Sequence, residues 1–222
     1  MAAINNQSAV NYLPEQTDTT VAKGYAVQLE HIAKQYGSLG SAVMELPFSG
    51  AARSLQVVLK PLSRGSINMN PDDPYGEVVV DFGTFTNPID LKVMTAIFRI
   101  SRKWLQAPAH QQLSPVEDPK TANLATDQEI ENLARSTINP SFYHPSCTNS
   151  MMPKELGGVV GLDLRVHGTS GLSVVDASTM PLIPGTHLYG TPQIPLSPCL
   201  DKPTRFTVLH CRTSHESLFN GH

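Results

Sequence analysis

The chain has little cysteine, no cationic surplus and no long apolar run, and each shortage removes a class of protein. Three cysteines in 222 residues, Cys147, Cys199 and Cys211, are too few and too unevenly spaced to frame a disulfide scaffold, which agrees with a reducing compartment. Lys and Arg number 16 against 19 Asp and Glu, a formal net charge of -3, and no basic run of five or more occurs. No nucleic-acid partner is expected, because a phosphate backbone demands clustered positive charge. Nowhere do about 18 apolar residues follow one another, and the opening MAAINNQSAVNYLPEQTDTT has no basic stretch leading into an apolar one. Neither a membrane span nor a secretory signal is expected, and the compartment this implies is the cytoplasm. Also missing are a Gly-x-Gly-x-x-Gly between strand and helix and a Gly-x-x-x-x-Gly-Lys-Ser/Thr. Any nucleotide cofactor would need another polypeptide segment to hold most of it.

What is present suits one domain, or a large piece of something bigger. Val21, Tyr25, Leu29, Ile32 and Tyr36 recur at steps of three and four before Gly37, the pattern of an amphipathic helix. Residues 53–60 (RSLQVVLK) and 77–82 (EVVVDF) are rich in β-branched side chains and predict two adjacent strands. Residues 66–69 extend the first or form a short third, and NMNPDDPYG supplies turn chemistry. Asn87 and Pro88 read as N-cap and first helical residue. Leu91, Met94, Phe98 and Leu105 then trace one face up to Pro108, with Trp104 anchoring the end. Thr126 and Glu129 have capping-box spacing ahead of Ile130 and Leu133. Short strands are expected at residues 164–167 and 172–175. Strands and helices without regular alternation point to an α+β fold, a mostly antiparallel sheet with helices packed on one side.

The chemistry concentrates late, between Ser141 and Leu188. His144 precedes Pro145, which biases it away from helix and into a loop, and His187 stands in a second loop, IPGTHL. Two loop histidines could meet at one site, one imidazole taking a hydroxyl proton while the other hydrogen-bonds the same oxygen. Asp176 ends an apolar run at a point where backbone amides often meet a ligand. Among eight histidines some fall in loops by chance, and the Gly-punctuated run between these two is equally the rhythm of a meander, so the residue pattern leaves both readings open.

Three motifs in order, LKPLSRGSINM, YHPSCTNSMM and GGVVGLDLRVHGTSGLSVVDASTMPLIPGTHL, resemble the C-terminal, substrate-binding part of glucose-methanol-choline (GMC) oxidoreductases, flavoenzymes that oxidise alcohols with FAD. The resemblance runs from about Val57 to Leu188 and implies the substrate-binding fold without the nucleotide-binding part. It implies that His144, in the family's His-Pro motif, is the catalytic base. His187 falls where the family has its second catalytic His or Asn. Asp176 and Ala177 would touch FAD through main-chain groups, and Ser63, Arg64 and Gly65 would form a structural turn. An alcohol substrate, a fungal secondary-metabolite setting and, where the flavin part is encoded apart, a separate flavin-binding chain follow from the same resemblance.

The sequence departs from the family pattern at three places. Cys147 stands where the family has Gly, adding a Cβ to backbone that needs glycine freedom. Gly161 replaces an Asp, with Asp163 two residues on. After Leu188 the family's C-terminal helix is replaced by a stretch in which Pro192, Pro195, Pro198 and Pro203 forbid a long helix. The expected organisation is therefore a GMC-like domain over residues 1–188 and a divergent, irregular tail over 189–222, a truncated member of the family. That expectation leaves room for an inactive remnant without flavin. Cys199, His210, Cys211 and His215 in the tail lack metal-site spacing, and no metal is expected. A domain deprived of its flavin partner should also expose an apolar patch.

Overall fold

The computed structural model describes residues 2–47, 55–186 and 188. A short turn of helix, α1 (Ala2–Asn5), and a 3-10 turn (Ala9–Tyr12) lead into α2 (Thr19–Tyr36). Asp18 starts α2, its carboxylate accepting the Thr20 N–H at 2.7 Å. The expected apolar face forms except at its first position, where Val21 is exposed: Tyr25, Leu29 and Ile32 are buried in a cluster with Ile4, Leu62 and Ile89, and Tyr36 packs against it half-buried. Two phenol groups on this face reach the next segment, Tyr25 donating to the Leu62 carbonyl at 2.6 Å and Tyr36 to that of Lys60 at 2.9 Å. Burial raises both phenol pKa values above the ordinary tyrosine range, so both hydroxyls stay donors.

Strand pairing differs from the sequence expectation. β1 (Met44–Glu45) pairs antiparallel with β2 (Val57–Val58), whereas β3 (Ser66–Asn68) pairs antiparallel with β4 (Val79–Asp81), so the two β-branched runs are not neighbours. The reason lies between β2 and β3. Pro61 has no N–H to continue a ladder, and the next two, of Leu62 and Ser63, are taken at 2.8 and 2.7 Å by the buried carboxylate of Asp90. The chain leaves the first sheet there, and the Pro-Asp-Asp-Pro turn folds β4 onto β3. Ser63 and Arg64 are bound into this corner. The Ser63 hydroxyl accepts the Asn87 N–H at 3.0 Å, and the Arg64 guanidinium lies 5.1 Å over the Tyr25 ring.

The second long helix, α3 (Pro88–Leu105), begins as the sequence implies, with the Asn87 side chain accepting the Ile89 N–H at 3.1 Å. Asn87 is fully buried, and its amide is paired in both directions with Gln7, at 3.1 and 2.9 Å. Leu91, Met94 and Phe98 are buried along one face. Trp104 anchors the far end, its ring 3.9 Å from that of His110 in α4 (Pro108–Gln111). A loop containing α5 (Pro119–Ala122) follows, held by Arg102, which bonds the Glu117 carboxylate at 2.8 Å and the carbonyls of Thr121 and Leu124. The capping box then starts α6 (Asp127–Thr137), with Glu129 N–H on Thr126 Oγ1 at 3.3 Å and Thr126 N–H on Glu129 Oε2 at 2.9 Å. Ile130 of α6 is buried.

Residues 164–167 and 172–175 do not form the expected strands. They make only isolated antiparallel bridges, Val160 with Val166 and Arg165 with Ser173. Leu164, Gly168 and Gly171 all take positive φ there, and turns so closely spaced leave no room for a ladder. The α+β character holds, with helices set beside small antiparallel sheets. No helix among the described residues is long and apolar enough to cross a membrane.

Two glycines set the distance between α2 and the later half of the chain. A Cβ on Gly24 would lie 2.1 Å from the Leu156 carbonyl oxygen. One on Gly157, itself at φ 73°, would lie 2.7 Å from Val21 Cα. The helix therefore packs with bare backbone on the 3-10 turn Lys154–Leu156.

Candidate functional site

After α6 the chain enters the 3-10 turn Pro140–Tyr143, in which Ser141, Phe142 and Tyr143 take φ of 53°, 47° and 62°. Three successive left-handed residues, none of them glycine, store strain just ahead of His144. His144 itself leaves the left-handed region, at φ −122° and ψ 53°, is half-buried, and donates its N–H to the Ser141 carbonyl at 3.0 Å. Its ring lies edge-on to Phe142, with centroids 6.5 Å apart. The loop placement inferred from Pro145 is what the structure shows.

Residues 147–151 then run beside the turn Ala177–Thr179 and are bonded to it at every second amide. Cys147 N–H donates to the Ala177 carbonyl at 3.2 Å, Asn149 N–H to that of Ser178 at 2.9 Å, and Met151 N–H to that of Thr179 at 2.8 Å. Side chains add to this seam, Asn149 Nδ2 donating to Ser178 Oγ at 2.9 Å and Ser150 Oγ to the Met180 carbonyl at 3.2 Å. Cys147, three residues after His144, is thus bonded to the turn that Asp176 caps. Neither Asn149 nor Ser150 stood out in the sequence. The signal was the polar run Ser-Cys-Thr-Asn-Ser after the His-Pro pair, too polar for a buried strand and suited to bonding a neighbouring backbone.

Asp176 serves its own turn. Its carboxylate accepts the Ser178 N–H at 2.8 Å and the Ser178 hydroxyl, while Thr179 Oγ1 donates to its carbonyl at 2.9 Å. The Ala177 carbonyl faces inward to Cys147. Ala177 and Ser178, which bear small side chains, are half-buried. His187 lies outside the described residues, as do Cys199, His210, Cys211 and His215. No group of three or more His, Cys, Asp or Glu that could hold a metal ion occurs among the described residues.

Cys147 takes φ 70°, the left-handed backbone that the resemblance led us to expect at a glycine position. Burial pushes its thiol pKa up, with a hydrogen bond to Ser146 and the charges of Arg64 and Lys60 working the other way. Lys60, buried, donates from Nζ to the Ile183 carbonyl and ties that residue to the stretch just after β2, and burial draws its ammonium below the usual lysine range. Cys147→Gly should stabilise the chain by roughly 0.5–1 kcal/mol. Relief of left-handed strain, about 1–2 kcal/mol per residue, exceeds the ~0.4–1 kcal/mol of extra unfolded-chain entropy. Because the folded thiol titrates above its unfolded value, its contribution is intact below about pH 8.5 and shrinks as pH rises through the folded value. Thermal melts at pH 7 and 10 check both points: a variant that melts lower at pH 7 refutes the strain, and one that keeps the alkaline loss refutes the thiol as its source.

Comparison with known proteins places this geometry in a family. The GMC oxidoreductase family model matches residues 61–193. Dehydrogenase xptC of Emericella nidulans is 36% identical over 169 residues, which cover 76% of this chain and 27% of that protein. An FAD-dependent oxidoreductase from Chaetomium thermophilum has the same fold at TM-score 0.85 and 38% identity, over 90% of this chain and 34% of its own. A fungal aryl-alcohol oxidase follows at TM-score 0.82 and 35% identity, with the same coverage. The chain spans about a quarter of the length of the curated relatives it matches. With a family match over more than half of its length and the fold of these two oxidoreductases, the chain belongs to the GMC oxidoreductases.

Proposed function

We propose that this chain provides the substrate-binding part of an FAD-dependent oxidoreductase that acts on an alcohol, in the setting of fungal secondary metabolism. The observation that carries the reading is the seam between residues 147–151 and the turn Ala177–Thr179, which holds the His144 loop against half-exposed, small-residue backbone. That backbone fits a planar group approaching its main chain, so Asp176 and Ala177 would contact FAD there. The Gly-rich cradle for its diphosphate is not in this sequence and belongs to a flavin-binding portion that this chain does not span.

FAD, when bound, supplies the hydride acceptor for the alcohol carbon. The chain's own part is to seat the alcohol and move one proton. The His144 imidazole, set by the left-handed turn and by Pro145, takes the hydroxyl proton, and His187 hydrogen-bonds the same oxygen. The visible spectrum of the chain purified from its own host tests this reading. Flavin bands near one FAD per chain are expected when the flavin-binding portion accompanies it. A preparation that is colourless and stays so on addition of FAD, with no flavoprotein co-purifying, refutes it in favour of an inactive remnant.

A further inference from the structure

Gln28 of α2 holds two distant parts of the chain with one amide. Its Nε2 donates to the Pro181 carbonyl at 2.8 Å and to the Met152 thioether at 3.4 Å, which occupies both of its N–H groups. Met152 follows directly on the run 147–151, and Pro181 lies just past the turn Ala177–Thr179, so α2 is tied to both segments of the seam where they leave it. The Met152 side chain also fills the space beside α2. Its methyl lies 3.3 Å from where a Cβ on Gly24 would stand, one helical turn before Gln28. The backbone of Met152 has little freedom to follow a change in its side chain, since its N–H donates to the Ser150 carbonyl at 3.0 Å and its carbonyl accepts from His167 Nε2 at 3.1 Å.

A thioether is apolar only until it is oxidised, and Met152 is half-buried, within reach of a small oxidant from solvent. We propose that Met152 is a reversible redox switch that sets how firmly α2 holds the segment beyond the turn Ala177–Thr179. Hydrogen peroxide is the oxidant. The sulfur lone pair attacks one peroxide oxygen, the S–O bond forms as the O–O bond breaks, and water leaves, with the sulfur oxidised by two electrons and the peroxide reduced by two. The new oxygen is a stronger acceptor than the sulfur it sits on, and it takes up room against the bare backbone at Gly24. The Gln28 amide turns to it, the bond to the Pro181 carbonyl is given up, and α2 loosens from both segments. A dithiol reductase reverses the step, removing the oxygen as water while its two thiols become a disulfide. No flavin takes part, so the switch stands or falls apart from the proposed function.

The test is a hydrogen peroxide titration of the full chain, read by peptide mass spectrometry and thermal melting. Met69, 65% exposed, is the internal control, and Met94 and Met180 are buried. Sulfoxide should form at Met69 first and at Met152 next, while Met94 and Met180 resist. The melting temperature should hold while Met69 is oxidised and fall by roughly 4–8 °C as Met152 follows. Amide exchange should quicken at Thr179 and Met180, whose N–H groups donate to the carbonyls of Asp176 and Ala177. Methionine sulfoxide reductase should restore both readings in the parent chain, with no variant needed. Met152→Leu, a swap of similar volume, should melt within about 3 °C of the parent and lose the peroxide-dependent fall, whereas Met69→Leu should keep it. The proposal is overturned if Met152 stays reduced when Met94 or Met180 is modified, if complete oxidation of Met152 leaves melting unchanged, if reductase does not reverse the fall, or if the fall persists in Met152→Leu.

Discussion

Gly24→Ala should lower the stability of this chain by roughly 3 kcal/mol, even though alanine is the better helix former by about 1 kcal/mol. The added Cβ would sit 2.1 Å from the Leu156 carbonyl oxygen and 3.0 Å from its carbon. Backbone cannot turn aside as the end of a side chain can, so α2 must lift off the turn at Lys154–Leu156. That displacement loosens Gln28, whose amide donates to the Pro181 carbonyl at 2.8 Å and so links α2 to the segment beyond the site. For a chain of this size the melting temperature should fall by about 6–12 °C. Gly40→Ala is the matched control, since its Cβ would meet only the Ser38 hydroxyl at 3.7 Å, and it should melt within about a degree of the parent. A Gly24→Ala chain that melts higher would show that propensity, not the close approach, decides this position.

In a flavin-loaded enzyme containing this chain, His144→Ala should slow reduction of the flavin by alcohol about 10²–10⁴-fold while bound FAD is retained. The backbone argument supports a local effect. His144 is held by its N–H to Ser141 and by the run of left-handed residues before it, whereas the seam to Ala177 and Ser178 is made by Cys147 and Asn149. Deleting the imidazole therefore leaves the turn at Asp176 and Ala177 in place. Stopped-flow reduction at saturating alcohol reads the chemistry, and the flavin-to-protein absorbance ratio reads the cofactor. Unchanged reduction would remove His144 from the role of base, and loss of FAD together with rate would make it a structural residue. His187→Ala is expected to weaken the same step by a smaller factor.

Much of this protein was legible before folding because its signals are local. Asn87 with Pro88, and Thr126 with Glu129, are caps whose partners lie two or three residues away, and both form as the sequence implies. The β-branched run Val78, Val79 and Val80 marked a strand, and the turn-forming Pro-Asp-Asp-Pro marked the hairpin's end. The glycine position occupied by Cys147 was readable too, through family resemblance, and its φ of 70° is the backbone consequence. Pairing between strands was not. Whether β2 met β4 turned on the carboxylate of Asp90, nearly thirty residues from the two N–H groups it accepts, and no periodicity carries that information.

The candidate site divides the same way. Residue identity determined the chemistry on offer: an imidazole before a proline, an Asp closing an apolar run, and no cradle for a nucleotide phosphate. Tertiary structure alone decided that the His144 loop lies against the turn at Ala177. That seam consists of backbone amides and carbonyls, which every residue possesses and no sequence pattern can mark. The Asp176 carboxylate, by contrast, is consumed in capping its own turn through Ser178, two residues on, a contact that needs no distant part of the chain.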